Sequence, residues 1–79
     1  MKKRLRVQVN PGMFSTEKYV MFQEGNREYS LFVDAASVQN DLLEVQVVET
    51  HNGKTLIELP RDTNQGSRVY VASEHLLPL

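Results

Sequence analysis

The sequence predicts an all-β chain: one small domain over residues 1–79, with about six short antiparallel strands in a compact barrel or a strongly curved sheet. Three observations predict it. Apolar and polar residues alternate with period two along several stretches, two hairpins can be drawn whose facing side chains match, and the only helical signals are two segments too short for more than a single 3₁₀ turn.

From Arg4 to Val9 the alternation is strict, with Leu5, Val7 and Val9 on one face and Arg4, Arg6 and Gln8 on the other, the pattern of a half-buried strand. Asn10-Pro11-Gly12 then places Pro and Gly where a type II turn needs them, and Met13 to Glu17 reads as a connecting loop. Lys18 to Glu24 and Arg27 to Asp34 flank Gly25-Asn26, a Gly-X pair suited to a two-residue type II′ hairpin loop. Closure there sets Glu24 opposite Arg27, Phe22 opposite Tyr29 and Val20 opposite Leu31, with Tyr19 opposite Phe32 on the other face. Opposite charges meet, and apolar side chains meet apolar ones.

Leu42 to Thr50 and Lys54 to Pro60 flank His51-Asn52-Gly53. A two-residue Asn-Gly loop would set Val47 opposite Glu58 and Gln46 opposite Leu59, a mismatch along the whole ribbon. A three-residue loop pairs Val47 with Ile57, Val45 with Leu59, Val48 with Leu56 and Gln46 with Glu58, which predicts a type I turn with Gly53 in a G1 bulge. Arg61 to Ser67 is polar and turn-rich. Arg68 to Ala72 is a sixth strand, with Val69 and Val71 opposite in sense to Tyr70. Asp34-Ala35-Ala36-Ser37-Val38 and Ser73-Glu74-His75-Leu76 each begin with a capping residue and read as single turns that close strands.

These endings form an internal echo. Lys18 to Val38 and Lys54 to Leu76 both run strand, polar loop, strand, Ala/Ser-containing turn, then an apolar residue, and Phe32-Val33-Asp34-Ala35-Ala36-Ser37 parallels Tyr70-Val71-Ala72-Ser73. The match is short and gapped, and on sequence it does not separate duplication from chance recurrence of common strand-and-turn chemistry.

A chain this short hides only about 60 to 65% of the surface its unfolded form exposes, so the core must be thin. With 41% hydrophobic and 24% charged residues it is too apolar to stay disordered. The absence of cysteine excludes a disulfide scaffold, a thiolate metal site and a thiol nucleophile, and favours a reducing cytoplasm. Met1-Lys2-Lys3-Arg4-Leu5-Arg6 opens with the charge of a signal peptide but develops no apolar run, and no stretch approaches the length of a membrane span.

The last stretch, Val69-Tyr70-Val71-Ala72-Ser73-Glu74-His75-Leu76-Leu77-Pro78-Leu79, resembles the end of SH3-like barrels, in which a strand passes through one 3₁₀ turn into a short closing strand. Length, strand count and hairpin order are also similar to that superfold. The resemblance implies a small β-barrel used as an accessory or nucleic-acid-associated module. The chain departs from signalling SH3 domains in having no Trp and no Ala-Leu-Tyr-Asp-Tyr type motif, which argues against proline-rich peptide binding.

No catalytic, metal or cofactor pattern emerges, and the chain reads as a non-enzyme. His51 and His75 lack a second ligand at zinc-like spacing, and no sequence spacing implicates a nucleophile or carboxylate partner for either in catalysis. Glu44, Glu49, Glu58, Asp62 and Glu74 sit where a solvated sheet face is expected, and all four glycines fall at turns, not before a helix that could hold phosphate. More informative are Tyr19, Met21, Phe32, Val48 and Leu56, apolar residues on the face expected to be wet. Either the sheet curls to cover them or they meet an unknown protein partner or a second copy of the chain. The leading expectation is therefore an interaction or assembly module. The alternative is a module for RNA or single-stranded nucleic acid using Lys2, Lys3, Arg4, Arg6 and Arg27, which the net charge of −1 disfavours.

Overall fold

The computed structural model describes all of residues 1–79 and is all-β, with nine strands: β1 (Lys2–Arg6), β2 (Gln8–Pro11), β3 (Glu17–Glu24), β4 (Arg27–Asp34), β5 (Val38–Gln39), β6 (Leu42–His51), β7 (Lys54–Thr63), β8 (Gly66–Ala72) and β9 (Leu76–Pro78). Single 3₁₀ turns at Ala35–Ser37 and Ser73–His75 link β4 to β5 and β8 to β9, as expected. A larger antiparallel sheet has the order β8-β7-β6-β1-β9, with β5 also on β6, and a smaller one has the order β2-β3-β4. Neither closes into a barrel; the inward residues of both sheets form one shared core. Period-two alternation supplies it, with Tyr29, Leu31 and Val33 from β4 and Val69 and Val71 from β8 all buried. No helix is long and apolar enough to cross a membrane.

The β3–β4 hairpin has the predicted register throughout, from Glu24 opposite Arg27 to Tyr19 opposite Phe32, and Gly25 takes the positive φ of 60° that a type II′ loop requires. The β6–β7 hairpin differs from expectation. His51 pairs with Lys54, so Asn52-Gly53 is a two-residue loop with positive φ at both positions (50° and 78°), the type I′ signature. The extra residue is Val48, bulged out between Val47 opposite Ile57 and Glu49 opposite Leu56. Val48 therefore does not face Leu56. Nor does Val45 pair with Leu59, because the β6–β7 ladder stops at Gln46 opposite Glu58.

The N-terminal strand also departs from expectation. It breaks at Val7, whose N–H donates to Asp41 O at 2.9 Å, and passes from the larger sheet into the smaller one as β2. Pro11 is no turn residue but pairs with Lys18 on an edge strand, where its missing N–H costs no ladder bond. The chain reverses at residues 13–16 instead. The cap residues are used differently too. Asp34 makes no side-chain cap bond and reaches Arg61, while Ser73 lies inside its turn and bonds Thr55.

The echo in the sequence corresponds to an internal two-fold. Away from the Val48 bulge and the β7–β8 hairpin tip, shifting β1, β2, β4 and β5 by 38 positions and β3 by 37 reproduces the second half's pairings: Val38 opposite Leu43 becomes Leu76 opposite Leu5, Val9 opposite Val20 becomes Val47 opposite Ile57, and Tyr19 opposite Phe32 becomes Leu56 opposite Tyr70. Isolated hydrogen bonds follow the same rule, with Ala35 N–H on Thr16 O at 2.8 Å and Ser73 N–H on Gly53 O at 2.9 Å. Leu5-Arg6-Val7-Gln8-Val9 and Leu43-Glu44-Val45-Gln46-Val47 occupy equivalent places and differ at one residue. The halves interlock, because β5 lies on the first strand of the second half and β9 on the first strand of the first.

Candidate interaction surface

With the inward faces packed on each other, the outward apolar residues stay outward. Tyr19 and Phe32 face each other across β3 and β4 with ring centroids 4.8 Å apart at a tilt of 48°, and Phe32 is 46% exposed. Together with Pro11, Gly12 and Met13 they line an open hollow of about 310 Å³. The backbone shapes this corner: a Cβ at Gly12 would lie 2.6 Å from Glu17 O, so only glycine allows the close crossing that folds residues 13–16 back onto β3.

The five residues expected to form one interface are divided. Met21, next on the same face of β3 after Tyr19, opens onto a separate cleft of about 480 Å³. Leu56 is half-buried and faces Tyr70, 47% exposed, while Val48 is exposed on its bulge. Tyr70 is the two-fold equivalent of Phe32, so each half carries one exposed ring at the same place. Sequence reasoning missed Tyr70, Met13 and Phe14, the last two 85% and 67% exposed. Tyr70's sense opposite to Val69 and Val71 was the available signal; Met13 and Phe14 were visible only as adjacent apolar residues within a loop.

The two-fold also relates two clefts. The 480 Å³ cleft is walled by Arg6, Gln8, Met21, Gln23, Glu24 and His75, and a 280 Å³ cleft carries the equivalents Glu44, Gln46, Glu58, Pro60 and Ser37. In the first, His75 Nδ1 lies 2.7 Å from Glu24 Oε1, and the other oxygen of this nearly buried carboxylate accepts from Ala72 N–H at 3.3 Å. A carboxylate–imidazole pair can orient a general base. By the same two-fold Glu24 corresponds to Arg61, Ala72 to Asp34 and His75 to Ser37; Arg61 lies 3.4 Å from Asp34, an ion pair that likewise ties a hairpin of one half to the strand end of the other. The shared placement marks both as tethers between halves.

The basic residues do not converge. Lys2, Arg4 and Arg6 lie on the outward side of β1 and Lys3 on the other side. Lys2 Nζ is 3.0 Å from Glu44 Oε1, Arg4 stands opposite Glu44, and Arg27 belongs to the smaller sheet, where it donates to Gln65 Oε1 at 3.0 Å. Farther across this face Arg68 Nε meets Glu58 Oε1 at 2.6 Å. Hydrogen bonds from Ser67 and then Arg68 hold the Glu58 carboxyl below its ordinary range. Tyr70 Oη donates to Glu49 Oε1 at 2.8 Å, which, with some desolvation, raises the phenol above its ordinary value. Comparison with protein-family models, curated proteins and solved structures finds no match.

Proposed function

We propose that this chain is a non-enzymatic interaction or assembly module that docks a protein partner through the outward face carrying Tyr19 and Phe32. The observation that supports this most is that pair itself: two aromatic rings in contact, outside both sheets, beside a hollow edged by Pro11 and Met13. Aromatic anchors beside a shallow apolar hollow are the usual centre of a protein interface. The SH3-like part of the reading draws support from the order strand, 3₁₀ turn, short strand over Val69 to Leu79, and from nothing finer. Lack of cysteine fits action in a reducing cytoplasm. Nucleic-acid binding is the weaker reading, because Lys2 and Arg4 sit beside Glu44.

The test is the double change Tyr19→Ser and Phe32→Ser, both on an outward face, followed by capture of partners from the native cell. The variant should stay folded and lose capture. A folded variant that captures the same partner equally well removes the proposal.

A further inference from the structure

The internal two-fold makes the free edges of β4 and β8 equivalent, and the molecule treats them differently. In an antiparallel pair alternate residues aim their N–H and C=O at the neighbouring strand or away from it. On β4 the outward set includes Glu28 and Ser30. Ser30 N–H donates to Asn64 Oδ1 at 3.3 Å, and Glu28 O accepts from Asn64 Nδ2 at 3.3 Å and Gln65 Nε2 at 3.4 Å. The tip of the β7–β8 hairpin, bent by the register shift after Glu58, thus lies along β4 and substitutes for a further strand.

On β8 the N–H of Ala72 points outward, to Glu24 Oε2 at 3.3 Å. By alternation Tyr70 and Arg68 aim outward as well. The β3–β4 hairpin turns at Gly25-Asn26, too early to cover them, so Glu24 closes the edge only at Ala72. Open edges are normally blunted by proline, bulges, unpaired charge or a covering loop. Between Gly66 and Tyr70 there is no proline, and the one charge, Arg68, is engaged by Glu58 at 2.6 Å.

We infer that this edge is a seam for a second copy of the chain, with β8 pairing antiparallel to β8 of the other molecule about a two-fold axis at Val69. The side chains select that register. An axis at Arg68 would set guanidinium against guanidinium, and an axis at Tyr70 would leave only the Tyr70 pair before the ladder meets the Ala72 N–H that Glu24 already holds, whereas an axis at Val69 completes two pairs before reaching it. At Val69, Arg68 of each molecule faces Tyr70 of the other. Each such pair exchanges two backbone hydrogen bonds, with a cation set beside an aromatic ring. The contact is isologous, so it closes at a dimer and does not propagate.

The test is sedimentation equilibrium of the full chain over a wide concentration range, with amide exchange followed at Arg68 and Tyr70. Mass should double as concentration rises, and exchange at those two amides should slow by about tenfold or more as the dimer forms. Tyr70→Pro should stay monomeric and folded, since that N–H has no partner within the chain. A chain that is monomeric throughout, with fast exchange at both amides, overturns the inference, as does a folded Tyr70→Pro that still doubles in mass. Protection of these amides only when an unrelated extended peptide is added also overturns it. If the proline variant fails to fold, exchange in the unaltered chain decides alone. Tyr19→Ser with Phe32→Ser leaves this seam intact, so the two proposals fail separately.

Discussion

Leu5 and Leu43 stand directly opposite each other on β1 and β6, 1% and 0% exposed, and they are the one pair that the internal two-fold maps onto itself. Leu76 covers Leu5 from β9 and Val38 covers Leu43 from β5. Leu5→Ala and Leu43→Ala should therefore destabilise the fold by similar amounts, about 2–5 kcal/mol each. Because the two side chains share neighbours, the double variant should lose less than the sum of the single losses. Urea unfolding of the three variants checks this. A marginal loss at one site beside a large loss at the other would show that the halves are not energetically equivalent.

Gly12 and Gly53 restrain the two inner hairpins in different ways, and alanine distinguishes them. At Gly53 nothing lies within 4 Å of an added Cβ, so the cost comes only from the φ of 78°, about 1 kcal/mol. At Gly12 the new Cβ would press on Glu17 O at 2.6 Å, and the loop must open by moving backbone, at about 1–3 kcal/mol. Gly12→Ala should also disturb the Tyr19–Phe32 corner, visible as shifts in their ring resonances. Gly53→Ala should leave those rings unchanged.

The contrast between the two hairpins shows what could be read from the sequence. In β3–β4 the pairs nearest the turn and core, Glu24 with Arg27, Phe22 with Tyr29 and Val20 with Leu31, and Tyr19 with Phe32 on the other face, all matched under one loop length, so turn and register were legible together. In β6–β7 side-chain matching correctly demanded one extra residue on the first strand, but a bulge in the strand and a longer loop satisfy that demand equally well near the core. The extra residue sits at Val48, where an exposed position accepts a bulge cheaply and Asn52-Gly53 keeps its tight turn. Pro11-Gly12 misled for a related reason. Both residues are at home in turns, yet Pro11 is tolerated on an edge strand and Gly12 serves close approach. The Tyr19–Phe32 pair was legible because it is local. The contrast between a covered β4 and a bare β8 was not, since it depends on Asn64 reaching Ser30 from 34 residues away.

Glu58 contributes to acid sensitivity with a definite sign. Its folded carboxyl titrates below the unfolded value near 4.5 because Ser67 and Arg68 hydrogen-bond the charged form. Its stabilisation is thus present above that value and lost as pH falls through the lower folded value. Glu58→Gln should flatten the acid limb of the stability profile. Added salt should weaken the effect too, since Arg68 is exposed. An acid limb unchanged in Glu58→Gln would assign the sensitivity to other carboxylates.

Tyr70 acts at the opposite end of the pH range. Its hydroxyl donates to Glu49 Oε1 at 2.8 Å, and that bond, followed by desolvation and the nearby negative charge, raises its folded titration above the ordinary value of 10.0. A raised value favours the protonated form in the folded state, so the contribution is complete below the unfolded value and disappears as pH rises through the folded one. Tyr70→Phe, compared with the unaltered chain by phenolate absorbance, isolates this one titration from those of Tyr19 and Tyr29. Glu49→Gln should move the midpoint back toward 10.0, because an amide can still accept the bond but carries no charge to oppose the phenolate. Should the midpoint stay raised in Glu49→Gln, the retained hydrogen bond and desolvation, not the charge of the carboxylate, would be its cause.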